Sequence, residues 1–370
     1  MKDYNSTIKK ASGNVEQFLQ KTFLNIYFTG PPMKIKELNA NPTMVVGSHR
    51  SHLDYILLGV KLHKAGLIDM RFAAGDNLTH MPYIGKKFRS WGAYTVYRAR
   101  AQSRKYIREL CNDVINMLNN NNKIIVFPEG GRSYKGSMMN IKNGFIAANI
   151  VAQHHSPERQ FYILPVSISY EKIPELTYFD ILQKGKKLRK KKGGIVTRTK
   201  GNFYYFGADL MAFAKFIIAH KFGINYGEVF IDYGTPIKIN DVIDLNKHYI
   251  PGTRNEFAAH KITIKKIGEE IKSRIRSLYR ILPMHILAVI LKKKNSCTYS
   301  TAMKGIPEII DIVHKQKLNT KSIQHLSHKE IIEKGIQQLK FSNAIKITGK
   351  KIVIKHPRFI KYYAETIKHN

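Results

Sequence analysis

Short apolar runs bounded by turn residues alternate along this chain with longer stretches of helical period. The runs are TMVV (43–46) before Gly47, RFAA (71–74) before Gly75, GAYTVY (92–97), KIIVF (123–127) into Pro128, FYILPVSI (161–168) and EVFIDYG (228–234). Continuous rather than alternating apolar character predicts strands covered on both faces. Between them, SRKYIRELCNDVINMLNN (103–120) repeats apolar residues every three to four positions. Ser103 can cap its start and an asparagine run ends it, which predicts a helix. Strand–helix alternation of this kind predicts an α/β fold: a mostly parallel, twisted sheet flanked by helices. Past residue 280 the strand pattern fades. The expected organisation is an N-terminal helical segment (1–40), an α/β domain (41–280) and a smaller, mainly helical C-terminal unit (281–370). NAIKITGKKIVIKH (343–356) is the exception there, a candidate hairpin turning at Gly349.

Two stretches have more than one reading. VEQFLQKTFLNIYF (15–28) has helical apolar spacing, which fits a helix packed on the domain or one lying on a membrane surface. KGKKLRKKKGGIVTRTK (184–200) is expected as a basic loop or linker, either plainly solvated or in contact with a phosphate-bearing acidic partner.

Composition narrows the class. The 370 residues hold 43% hydrophobic residues, with 20 Tyr and 18 Phe, enough for a real core and unlike a disordered chain. Lys and Arg total 62 against 26 Asp and Glu, a net charge of +36 that suits nucleic acid, an anionic membrane or an acidic carrier. Lys, Ile and Asn are abundant together, as coding bias produces, so the charge alone selects none of these. No RNA- or DNA-binding motif accompanies it, and no nucleic acid is expected as partner. Two distant cysteines, Cys111 and Cys297, imply a reducing compartment without a disulfide framework. The start, MKDYNSTIKK, lacks the apolar stretch of a signal peptide. The longest apolar runs, 210–220 and 281–291, fall short of the roughly 20 residues that span a bilayer. No His, Cys and carboxylate spacing suits a metal, and no cofactor is expected.

The chemistry-bearing stretch is VVGSHRSHLDYILLG (45–59). Ser51 and Asp54 fit a capping box, Ser51 as N-cap with the helix continuing through YILLGV. That reading leaves His49 unexplained. His49 and Asp54 are five apart and meet only if His49 lies in the turn and folds back over the first helical turn. A carboxylate on one imidazole nitrogen would fix the tautomer and leave the other nitrogen to accept a proton. His52, two residues from Asp54, is not expected to be the base. Further polar groups follow other strands: Arg98 after GAYTVY, and Glu129, Gly130, Gly131, Arg132, Ser133 and Lys135 in FPEGGRSYKG (127–136). Glycines beside Arg and Lys there can cradle an anion. LPVSISYE (164–171) supplies a further strand.

In this order and with these gaps, HRSHLD, GAYTVYR, FPEGGRS and ILPVSISYE resemble the four blocks of the glycerolipid acyltransferase superfamily. GDNLTHMPYIGKKFRSWGAYTVYR (75–98) and YYAETIKHN (362–370) are similar to segments of its glycerol-3-phosphate and dihydroxyacetone-phosphate acyltransferase branch. The resemblance covers residues 40–240 well. It implies His49 as general base, Asp54 as its orienting partner, and Arg98 at the acceptor's phosphate with Arg132 and Lys135. Glu129 and Gly130 would shape the acceptor site beside Gly131, Arg132 and Ser133, and Pro165 would place the fourth strand near the acyl end. The chain departs from the pattern at Thr95, where an aromatic is usual, and at Tyr97 and Tyr134, where arginine is common. Gly131 replaces the threonine of other branches. The implied activity moves a fatty acyl group from acyl-CoA or acyl carrier protein to the sn-1 hydroxyl of glycerol 3-phosphate, the first step of phospholipid synthesis. Dihydroxyacetone phosphate or lysophosphatidic acid are the alternative acceptors, and a catalytically silent lipid-binding relative is the alternative role. The implied place is the cytoplasmic face of an anionic membrane, peripherally bound.

Overall fold

The computed structural model describes residues 13 to 367, except 14, 81–83, 98, 99, 101, 102, 243–260 and, within 191–220, all but 199, 204, 207, 211, 215, 218 and 219. Its main sheet holds β1 (Asn25–Thr29), β2 (Thr43–Gly47), β3 (Met70–Gly75), β4 (Ala93–Val96), β5 (Lys123–Val126), β6 (Tyr162–Tyr170), β7 (Glu228–Tyr233) and β8 (Ile237–Lys238). The order across the sheet is β1-β7-β6-β2-β5-β3-β4, with β8 beside β6. From β6 to β4 every pairing is parallel. β7 and β8 run antiparallel to β6, and β1 is parallel to β7.

The apolar strands are covered on both sides, as their lack of alternation predicts. In β2, Met44 and Val46 pack into one core with helices Arg104–Asn119 and Gly144–His155. Val45 faces the other core, with Leu57 and Leu58 of helix Asp54–Lys64. Successive residues of a strand point to opposite faces, so one run of valines and methionine serves both cores. Pro165 lies inside the central strand β6 without disturbing it. β8 pairs with Tyr162 and Ile163, β7 takes over at Val166, and the proline falls in the gap between these antiparallel partners.

The second core does not stop at the sheet. It continues into the C-terminal helices Pro283–Lys294, Tyr299–Lys315, His328–Phe341 and Pro357–Glu365. A small antiparallel sheet accompanies them: β9 (Ser296–Thr298), β10 (Ile345–Thr348) and β11 (Lys351–Ile354), in the order β10-β11-β9. The hairpin expected over 343–356 is its β10–β11 pair, turning at Gly349. Arg280 joins the two parts: its guanidinium holds Asp232 of β7 at 2.6 and 3.0 Å and Thr29 of β1 at 2.8 Å.

Local differences from the sequence pattern have physical reasons. The helical period of 15–28 breaks: a helix covers 15–22, and Asn25–Thr29 becomes an edge strand of the main sheet. Unpaired backbone groups of β7 are satisfied by that strand, a contact no local pattern announces. Leu19 and Phe23 are buried, so the helix packs on the domain. The basic stretch is not loop throughout, since helix Phe179–Lys190 takes in Lys184 to Lys190, while 191–198 and 200 lie outside the described residues. Among the described residues no helix is long and apolar enough to cross a membrane. Cys111 and Cys297 are free and buried.

Candidate active site

Five parallel strands ending in the same direction bring β2, β5, β6, β3 and β4 to a common carboxyl edge. The turns leaving β2, β5 and β6 are neighbours there, and groups far apart in sequence converge on them.

The turn after β2 carries His49 and Asp54. His49 Nδ1 lies 2.8 Å from Asp54 Oδ2, and the carboxylate is fully buried. A carboxylate oxygen can only accept, so Nδ1 carries the hydrogen and Nε2 is left with its lone pair. Phe127 stacks on the imidazole with ring centroids 4.6 Å apart, fixing its plane. The His49 side chain retains 12% exposure.

Asp54 is held from several sides. Its Oδ2 also accepts from the backbone N–H of Arg50 (2.6 Å) and Ser51 (2.9 Å). Its Oδ1 accepts from the Tyr170 hydroxyl at the end of β6. The expected capping box is therefore half present. Asp54 reaches back to Ser51 N–H, but helix Asp54–Lys64 begins after Leu53, and Ser51 Oγ accepts from Leu53 N–H (3.1 Å) while donating to Glu175 (2.8 Å). The cap and the histidine partner are one carboxylate.

The loop after β5 closes over this turn. Glu129, buried, accepts from His49 N–H (2.9 Å), Met139 N–H (2.8 Å) and Ser133 Oγ. Ser133 N–H returns a bond to His49 O at 2.8 Å. Gly130 has φ +64, a left-handed backbone, with the Lys142 amine directly over its α-carbon. Among the loop's amides, those of Glu129, Gly131 and Lys135 make no hydrogen bond to a described residue.

The remaining expected site residues divide. Lys135 and Gly130 are exposed and Gly131 half-buried on the loop surface. Arg132, expected at the acceptor's phosphate, is instead buried: its guanidinium faces Glu175 Oε1 at 3.7 Å and lies over Tyr134 and Phe179. Tyr134, one of the departures from the family pattern, is thus packed against this arginine. Pro165 is buried in β6 opposite Val46 of β2. Arg98 lies outside the described residues. Among the described residues no His, Cys, Asp and Glu cluster could hold a metal.

Two residues of the site escaped the sequence reading. Tyr170 ends a strand whose pattern marks it as core, and burial and the Asp54 charge raise its hydroxyl pKa well above the ordinary value. Glu175 follows that strand and bonds Ser51 Oγ and His52 N–H, both at 2.8 Å, as well as facing Arg132. Ser51 and His52 are more than a hundred residues away and Arg132 more than forty, and no spacing rule reaches them.

Residues 31–169 match the family described as Acyltransferase, and residues 213–363 match the Glycerol-3-phosphate acyltransferase C-terminal region. The chain is 24% identical over 349 residues to a glycerol-3-phosphate acyltransferase of Haemophilus influenzae (strain PittEE), covering 90% of this chain and 40% of that one. It is 31% identical over 228 residues to one of Alteromonas mediterranea, covering 61% and 25%. It is 30% identical over 251 residues to one of Xylella fastidiosa (strain M12), covering 66% and 27%. The chain thus spans 40% or less of the length of these curated relatives. Among solved structures, the 1-acyl-sn-glycerophosphate (LPA) acyltransferase PlsC of Thermotoga maritima aligns at 17% identity and a TM-score of 0.33, over 74% of this chain and 85% of that one.

Proposed function

Because the chain belongs to the glycerol-3-phosphate acyltransferase branch of the glycerolipid acyltransferase superfamily, we propose that it acylates the sn-1 hydroxyl of glycerol 3-phosphate from an acyl thioester. The observation that carries this reading is the His49 Nδ1–Asp54 Oδ2 bond of 2.8 Å, which leaves Nε2 as a proton acceptor. His49 takes the hydroxyl proton as that oxygen attacks the thioester carbonyl. The tetrahedral oxyanion then expels the thiol, and the imidazolium returns the proton to it. Asp54 stabilises the imidazolium, and Tyr170 and two backbone amides keep the carboxylate in place. The loop's unbonded backbone N–H groups, Gly131 among them, are the candidate oxyanion donors.

The acceptor's phosphate would meet Arg98 and Lys135, while Arg132 stands behind the loop and holds it through Glu175. Acyl-CoA and acyl carrier protein are both acidic, and a net charge of +36 suits either donor and an anionic membrane surface. The apolar product supports a peripheral position at the cytoplasmic face of that membrane.

The test is thiol release by the purified chain from acyl-CoA and from acyl carrier protein. Glycerol 3-phosphate, dihydroxyacetone phosphate and lysophosphatidic acid are supplied in turn, with product position assigned by chromatography. Release dependent on glycerol 3-phosphate, giving the 1-acyl product and lost in His49→Ala, is expected. Preference for another acceptor would reassign the substrate, and no acceptor-dependent release would remove the enzymatic reading.

A further inference from the structure

Arg50 sits between the proposed base and its carboxylate partner in sequence, yet its side chain leaves the turn and enters the interior, where the residue is 2% exposed. Its guanidinium donates to the Gly136 carbonyl and to the Tyr362 hydroxyl (3.4 Å), and lies 4.4 Å over the Tyr279 ring. No described carboxylate forms an ion pair with it. A buried cation without an ion-paired partner is costly, and the Glu129 carboxylate attracts it only from a distance.

Three segments meet on this one group. Its own backbone N–H binds Asp54, so it belongs to the base turn. Gly136 belongs to the loop after β5 that carries the proposed anion site. Tyr362 belongs to helix Pro357–Glu365 at the far end of the chain. The loop lies directly on that helix: a β-carbon at Gly136, which has φ +92, would fall 2.0 Å from the Tyr362 carbonyl oxygen. The same helix reaches the site from a second side, where Arg358 donates to the Leu176 and Thr177 carbonyls, next to Glu175.

We propose that Arg50 is a positioning residue through which the C-terminal helix sets the distance between His49 and the loop that receives the acceptor's phosphate. The role rests on the acyltransferase reading above. Arg50 touches neither substrate. It ties the turn that holds the base to the loop that holds the anion, using Tyr362 and Tyr279 as the fixed wall. Loss of that tie moves one reacting partner relative to the other, and misplacement of about 1 Å is enough to cost on the order of 10²-fold in rate.

The test is steady-state kinetics of Arg50→Lys, Tyr362→Phe and the double variant. Lysine keeps the charge but lacks the planar fork that bonds a carbonyl while stacking on a ring. Phenylalanine removes only the hydroxyl and keeps the ring beside Phe179, 5.7 Å between centroids. Lys361→Ala, exposed on the same helix, is the control. Arg50→Lys is expected to lower kcat/KM for glycerol 3-phosphate by about tenfold to a hundredfold, through both kcat and acceptor KM, with acyl-CoA KM unchanged. Tyr362→Phe should act in the same direction by several-fold, and the double variant should be no worse than Arg50→Lys, since the two act on one tie. Lys361→Ala should match wild type. Should Arg50→Lys not fold, the KM split of Tyr362→Phe decides alone. Variants that lose activity only in proportion to their folded fraction, with wild-type KM for the acceptor, would overturn the proposal and leave the enzymatic reading intact. An inactive wild type would overturn both.

Discussion

Tyr170 and Asp54, 116 residues apart, share a buried hydrogen bond in which the phenol donates to the carboxylate oxygen that His49 does not use. Asp54 thus accepts from four donors at once: one imidazole and two backbone amides on Oδ2, and one phenol on Oδ1. The acid that orients the proposed base is over-determined, and the consequences can be measured.

Asp54→Asn keeps the size of the side chain but cannot accept from His49 and both amides as the carboxylate does. The imidazole loses its fixed tautomer, and kcat should fall by roughly 10²–10⁴-fold, as for His49→Ala. Steady-state kinetics on glycerol 3-phosphate checks this, and kcat within twofold of wild type would refute the dyad.

Tyr170→Phe removes one donor and leaves Asp54 Oδ1 buried without it. A stability loss of about 1–3 kcal/mol is expected, read by urea denaturation. The kcat loss should be smaller than that of Asp54→Asn, since the bond to His49 survives. An equal loss would mean that the phenol takes part directly.

Glu175→Ala should destabilise by about 1–3 kcal/mol, because Ser51 and His52 lose their buried acceptor and Arg132 loses a facing carboxylate. Denaturant unfolding of the two proteins gives the difference, and a loss below about 1 kcal/mol would show that Glu175 is not what holds Arg132.

His285 predicts a pH dependence. Its Nδ1 accepts from Leu282 N–H at 3.0 Å, so the buried ring is neutral, and burial with the nearby Arg50 charge pushes its pKa down to about 3. The unfolded chain titrates near 6.5. Between these values the unfolded state binds the extra proton, so stability is complete above pH 6.5 and falls as pH drops toward 3. From pH 7 to pH 5 the loss due to this group is about 2 kcal/mol. His285→Asn, whose amide oxygen can replace Nδ1 as acceptor, should lose that much less over the same interval. Parallel pH curves for the two proteins would reject the assignment.

The sequence by itself determined whatever rests on neighbours along the chain. The helix over 103–120 begins where Ser103 accepts from Tyr106 N–H, because period and cap are local. The strands at 43–46, 70–75, 93–96, 123–126, 162–170 and 228–233 follow from unbroken apolar runs, and the pairing of His49 with Asp54 from a five-residue span that a turn can close. Tertiary structure decided what burial assigns between distant segments. It made an edge strand of 25–29, turned Arg132 inward to Glu175, and placed Tyr170 on Asp54 and Tyr362 on Arg50. A buried polar group must find its partner wherever packing brings one within reach, and that choice is made by the fold of the whole chain, not by spacing along it.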